Sequence, residues 1–257
     1  VNRRPDSLAY AEADRFAPDK KDLETSMKKN MNINTTKVAV SALMAALAFG
    51  ACASASAQTA GTWSVSFGIN DISPRGTTDP FSAPSVVNST TKVQSDAQPV
   101  LEISYNFTDH ISAEFGLGTP YKHELDGAGS LQGTGKLGSL KQLPPTLFAQ
   151  YHFLDANAQF RPYVGLGLTY AIFRDETGNG TLTAITNPGG PSTTFTVDNA
   201  WGWTPQVGAT FAFNNKWYAD AMIGKTYIST TVHLSTGETA NAPLNPLVGS
   251  LTIGYRF

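Results

Sequence analysis

The chain carries one cysteine, Cys52, in 257 residues. A single thiol excludes a disulfide framework and a cysteine-based zinc site. Charge is scarce too: 15% of the residues are Asp, Glu, Lys or Arg, against roughly 25% in soluble domains. The 18 basic and 20 acidic side chains nearly cancel, leaving a net charge of −2, so the basic excess of a nucleic-acid binder is missing. Outside the N-terminal region no apolar run reaches the ~18 residues from which a membrane helix is read, which excludes a helical membrane bundle. What the chain does have is 23 glycines and 11% aromatic residues. Its length fits one domain of about 200–250 residues, or two small ones. Few charges, no long greasy run and many glycines and aromatics point to an all-β protein, and to a membrane barrel in particular.

The first 57 residues read as processing signals rather than fold. Residues 1–26 are polar and mix five basic with six acidic side chains, the pattern of a gene-model extension or a disordered leader. From residue 27 the pattern changes. Lys28, Lys29 and Lys37 precede a 14-residue apolar core, Val38–Ala51, and Ala55-Ser56-Ala57 follows as a small-residue cleavage site before Gln58. That is a secretory signal peptide over 27–57, too short for a membrane span. Phe49-Gly50-Ala51-Cys52 loosely resembles a lipoprotein box, but cleavage near Ala57 removes the cysteine. The exported part, 58–257, holds ten basic and fourteen acidic residues, a net of −4.

Within 58–257, eight segments alternate apolar and polar residues, the mark of a strand with one greasy and one wet face. They are Trp63–Asn70, Val100–Phe107, Ile111–Gly118, Thr146–Phe153, Tyr163–Ile172, Gln206–Phe213, Trp217–Gly224 and Ser250–Phe257. The connections follow a rhythm. Thr108–His110, Asp155–Gln159 and Asn214-Asn215 are tight, Asp- and Asn-rich turns. The other four, roughly 73–98, 121–143, 174–199 and 229–244, are long and hold most of the Gly, Pro, Ser and Thr. An eight-stranded antiparallel transmembrane β-barrel with short periplasmic turns and long extracellular loops has this order, with both termini in the periplasm. Trp63, Phe107, Phe153, Phe213, Trp217, Tyr255 and Phe257 fall at strand ends on the short-turn side, as a rim girdle would. The expected location is the outer membrane of a Gram-negative bacterium, amid its lipid and lipopolysaccharide.

Leu143-Pro144-Pro145-Thr146-Leu147 with Gln150-Tyr151-His152-Phe153, Arg161-Pro162-Tyr163-Val164-Gly165-Leu166-Gly167, Asp198-Asn199-Ala200-Trp201-Gly202 and the terminal Gly254-Tyr255-Arg256-Phe257 together resemble OmpW-family outer-membrane proteins. The resemblance spans about 58–257. It implies an eight-stranded barrel with a narrow, largely apolar channel for small hydrophobic molecules. The 174–199 loop, with Gly189-Gly190-Pro191, departs from the family. Many barrels end in Phe as an assembly signal, so Phe257 would address the barrel-assembly machinery.

An eight-stranded barrel is just wide enough to be filled by side chains or to hold one small ligand. Near the short-turn end the inward positions are Glu114, His152, Arg161, Tyr218, Asp220 and Arg256, with Glu102 somewhat higher. Buried charges must be paired, so two arginines facing two acids would form a polar plug. Higher up stand Val100, Gly116, Gly118, Phe148, Gly167, Thr169, Gly208, Met222, Gly224 and Val248, small or apolar, with glycines expected to open space. Within this set Val100, Phe148, Met222 and Val248 form the apolar lumen. An apolar chamber over a charged floor suggests a hydrophobic solute that enters from outside and leaves sideways. Pro120, Pro144, Pro145 and Pro205 could loosen a seam, or simply end their strands above the membrane. Trp201 and Trp203 fit an outer-rim girdle. Alternatively Trp201 turns inward as a gate, which the family resemblance favours.

Two other functions compete. A filled barrel could anchor loops that bind something outside, a structural or adhesive role. His233-Leu234-Ser235 has a His-x-Ser spacing found in lipid A deacylases, and a Ser–His pair can supply nucleophile and base. The flanking residues do not match, and no acid is evident in the sequence to orient the histidine. No metal-ligand cluster or nucleotide fingerprint is present, so no cofactor, no metal and no enzyme activity are expected.

Overall fold

The computed structural model describes residues 58–257. The leader expected over 1–26, the signal peptide over 27–57 and Cys52 lie outside the described residues. Fourteen strands follow in chain order: β1 Trp63–Ser73, β2 Ser89–Val93, β3 Asp96–Asn106, β4 Ile111–Gly118, β5 Tyr121–Gly129, β6 Lys136–Leu143, β7 Thr146–His152, β8 Phe160–Gly178, β9 Phe195–Val197, β10 Ala200–Ala212, β11 Trp217–Lys225, β12 Ser229–Leu234, β13 Thr239–Pro243 and β14 Leu247–Arg256, with one short helix, α1, at Gly180–Thr186.

Eight of these strands close a barrel. The antiparallel order is β10-β11-β14-β1-β3-β4-β7-β8, and β8 pairs back onto β10 from Phe160↔Phe211 to Ala171↔Ala200. Closure follows from the solvent. Lipid cannot satisfy backbone N–H and C=O groups, so each strand needs a partner on both sides. The alternation sorts the side chains. Phe67 (62% exposed), Ile69, Leu101, Leu117, Leu147, Leu166, Leu168, Val207, Ile223 and Ile253 face outward, while Ser66, Glu102, Ser104, Gln150, Thr210 and Thr252 are buried inside. Aromatic contacts mark both rims. Trp63–Tyr105, Tyr151–Phe153, Phe211–Phe213 and Trp217–Tyr255 sit at the short-turn side, and Tyr170–Trp201 and Trp203–Tyr227 at the other. These are the girdles of a transmembrane barrel.

The long connections are not simple loops. β2, β5, β6 and the upper half of β8 pair into one extracellular sheet, and β9, β12 and β13 into another. A buried apolar cluster joins them, with Val93, Leu125, Leu140, Phe173, Phe195 and Val232 among its members. In sequence these strands are masked by Gly, Ser, Thr and Lys. Their period-2 signal emerges only because each buries a single stripe, such as Tyr121, His123 and Leu125.

Candidate functional site

A series of voids runs from the outer surface into the barrel, each sharing wall residues with the next. An outer pocket of ≈ 90 Å³ shares Phe81, Thr91, Leu137, Leu182 and Leu234 with an apolar upper chamber of ≈ 40 Å³. The upper chamber shares Gln142 and Pro246 with a lumen chamber of ≈ 60 Å³. The lumen chamber meets a last void of ≈ 10 Å³ at Glu102.

Val100, Phe148, Met222 and Val248 all line the lumen chamber, together with Ile72, Tyr121, Thr169, Thr204 and Ile228. Its roof is polar and buried. Tyr121 Oη accepts from Asn70 Nδ2 at 2.7 Å. His123, 1% exposed, bonds through Nδ1 to Gln94 O at 2.7 Å and through Nε2 to Gln142 Oε1 at 3.0 Å. Burial holds the His123 imidazole below its ordinary pKa, against the opposing pull of the Gln94 carbonyl.

Below Glu102 the lumen is packed with polar side chains. Ser66 Oγ donates to Glu102 Oε2 at 2.6 Å, and Ser250 and Thr252 donate to the same carboxylate at 3.3 Å. Ser104 Oγ and Gln150 Nε2 donate to Glu114 at 2.9 and 3.0 Å, and Tyr163 Oη donates to Asp220 Oδ1 at 3.0 Å. His152 Nε2 meets Ser112 Oγ at 2.9 Å.

For Arg161 the expected pairing with an acid takes a different form. Arg161, 1% exposed, donates to Gln58 Oε1 (2.8 Å) and to the carbonyls of Asp109 (2.6 Å), Phe153 (3.3 Å) and Leu154 (3.4 Å). It lies too near the periplasmic turns to reach the carboxylates, and hydroxyls and amides do that work instead. Arg256 lies over the Tyr218 ring, 4.5 Å from its centroid. Gln58 is a plug residue that sequence reasoning missed, because the signal before it drew attention to cleavage. Its backbone N–H also donates to Ala156 O at 2.9 Å, which carries the chain across the barrel floor.

Several lumen glycines do not open space. A β-carbon on Gly167 would come within 2.5 Å of the Phe148 ring, and one on Gly208 would collide with the Tyr163 ring. The room they leave is taken by the ring of the paired strand. Gly116 differs, since a β-carbon there would come no closer than 3.9 Å to any neighbour. Trp201 is 64% exposed on the outer face and packs on Tyr170 at 4.6 Å, so it stands in the rim girdle and does not turn into the mouth.

One seam of the wall is open. β4 and β7 pair from Ile111↔Tyr151 to Gly116↔Thr146, and the next pair across this line is Tyr121↔Gln142. Between them residues 117–120, which include Pro120, and 143–145, which include Pro144 and Pro145, do not pair with each other. Gly116, Gly118, Pro144 and Thr146, from both sides of the gap, line the lumen chamber. The structural cause is proline, which offers no N–H to a ladder.

The His-x-Ser pair does have an acid beside it: His233 Nε2 lies 3.1 Å from Asp198 Oδ2. Ser235 Oγ, however, accepts from the Thr194 N–H at 3.0 Å, and no Ser235–His233 hydrogen bond forms among the described residues.

The OmpW family model matches residues 59–257. Outer membrane protein W of Vibrio cholerae serotype O1 is 36% identical over 220 residues, covering 83% of this chain and 97% of the relative. The crystal structure of the outer membrane protein OprG from Pseudomonas aeruginosa superposes with a TM-score of 0.70 at 26% identity, covering 78% of this chain and 98% of that one. The solution structure of the Escherichia coli outer membrane protein W gives 0.51 at 27% identity, covering 78% of this chain and all of that one (100%).

Proposed function

The chain belongs to the OmpW family of Gram-negative outer-membrane barrels, and from that footing we propose that it admits small apolar molecules from outside into the lumen chamber and releases them sideways into the bilayer between β4 and β7. The observation that carries this reading is the succession of shared walls that narrows past Glu102 to a void of ≈ 10 Å³, together with the stretch above it where β4 and β7 lose their pairing. An apolar solute gains nothing by going deeper, because each plug carboxylate already has its donors and would lose them to a greasy intruder. The seam leads to lipid, a better solvent for such a solute.

Binding and passage of this kind need no catalytic group. Lipid and lipopolysaccharide would cover the apolar belt, and β14 with Phe257 would present the terminal strand to the assembly machinery. The structural or adhesive alternative draws support from the packed plug, and one variant separates the two readings. Gly116→Leu places a side chain in the lumen chamber without a backbone clash. In cells that lack other family members, uptake of radiolabelled toluene, normalised to folded barrel, should fall several-fold. Unchanged uptake would favour the structural role.

A further inference from the structure

The outer pocket holds a carboxylate oxygen that none of the described residues satisfies. Glu238, in the turn between β12 and β13, is 2% exposed, and its Oε2 has no hydrogen-bond partner among the described residues. Ser89 Oγ, on the same pocket wall, is also buried and unpartnered. No salt bridge reaches Glu238 among the described residues. A buried carboxylate without a partner is costly, so the position calls for a donor from outside the chain. Most of the remaining wall is apolar, with Phe81, Val86, Leu182 and Ile185, and Ser85, Thr91 and Thr186 interrupt it. The void of ≈ 90 Å³ is large compared with the ~10–15 Å³ that admits one water.

We propose that this pocket is a binding site for a small apolar cation, an alkyl- or arylammonium, with its head on Glu238 Oε2 and Ser89 Oγ and its body against Phe81, Leu182 and Ile185. The carboxylate supplies the charge, the serine oxygen accepts a second N–H, and the Phe81 ring suits an ammonium as well as an apolar tail. The pocket is assembled from four separate extracellular segments: residues 81–91, residues 131–137, α1, and residues 234–238 at the end of β12 and the turn after it. A ligand there ties these segments together above the upper chamber. The site goes beyond the lumen reading and does not depend on it.

Titrating refolded protein in detergent with benzylammonium, benzyl alcohol and toluene, followed by amide chemical shifts, tests the assignment. Benzylammonium should bind best, shifting residues around 81–89 and 234–238. Glu238→Gln should weaken it about tenfold or more and leave toluene unchanged. Ser89→Ala should have a smaller effect of the same sign, which guards against misfolding of the first variant. Gly116→Leu should bind benzylammonium like the wild type, so failure of the lumen reading and failure of this one are distinguishable. Equal binding of benzylammonium and benzyl alcohol, or no loss in Glu238→Gln, would overturn the proposal and leave water as the occupant.

Discussion

Tyr163 and Gly208 are direct partners across the β8–β10 ladder, and the Tyr163 ring fills the place where a β-carbon on Gly208 would stand. The arrangement recurs at Phe148 over Gly167 and at Tyr218 over Gly254, each again a paired couple. In a lumen this narrow, a ring can lie flat against the wall only where the neighbouring strand has no side chain. Tyr163 then reaches on to donate to Asp220, so the glycine indirectly positions a plug contact. Gly208→Val should force the ring off its site and cost about 1–3 kcal/mol, as overpacking does, read as a lower urea midpoint for barrel unfolding in lipid. Gly116→Ala, with no close neighbour to displace, should leave the midpoint near wild type.

Closing the seam should slow exit. Pro144→Ala with Pro145→Ala restores two N–H donors opposite residues 117–120, where β4 and β7 now lack pairs. Hydrogen exchange at 117–119 and at Thr146 should slow, and toluene uptake should fall together with it. Slower exchange with unchanged uptake would place the exit elsewhere.

The lumen roof should be sensitive to acid. Burial keeps the His123 pKa low when the extracellular sheets are closed, whereas an opened sheet returns it towards ~6.5. The opened state therefore binds the extra proton. The contribution to closure is complete above about pH 6.5 and is lost as the pH falls below that value. Asp71 and Asp96, which favour the charged ring, moderate the effect. Amide exchange in β5 and β6 should accelerate between pH 7 and pH 5 in the wild type, and much less in His123→Gln.

The barrel was legible because lipid on one side and packed polar groups on the other impose a strict period of two, as in Ser66 and Phe67 or Glu102 and Leu101. The tight turns Thr108–His110 and Asn214-Asn215 gave its orientation. The extracellular sheets were hidden because each strand buries only a few apolar residues against another loop, so no local pattern marks Val93 or Phe195. The chemistry of the plug was legible by residue type but not by partner. Arg161 sits where turn carbonyls converge, a feature that depends on backbone placement and leaves no trace in spacing. The lumen glycines misled for a related reason, since only the register shows that Tyr163 faces Gly208 and Phe148 faces Gly167. Trp201 was ambiguous because an outward rim position and an inward turn at a bulge share the same sequence.

Anomalous diffraction from crystals soaked in bromobenzene locates directly where an apolar solute comes to lie. A bromine peak is expected in the chamber lined by Val100, Phe148, Met222 and Val248, above Glu102 and beside the gap at Pro144. A peak among Glu114, Gln150 and Asp220 on the periplasmic side of Glu102, or none inside the barrel, would contradict it.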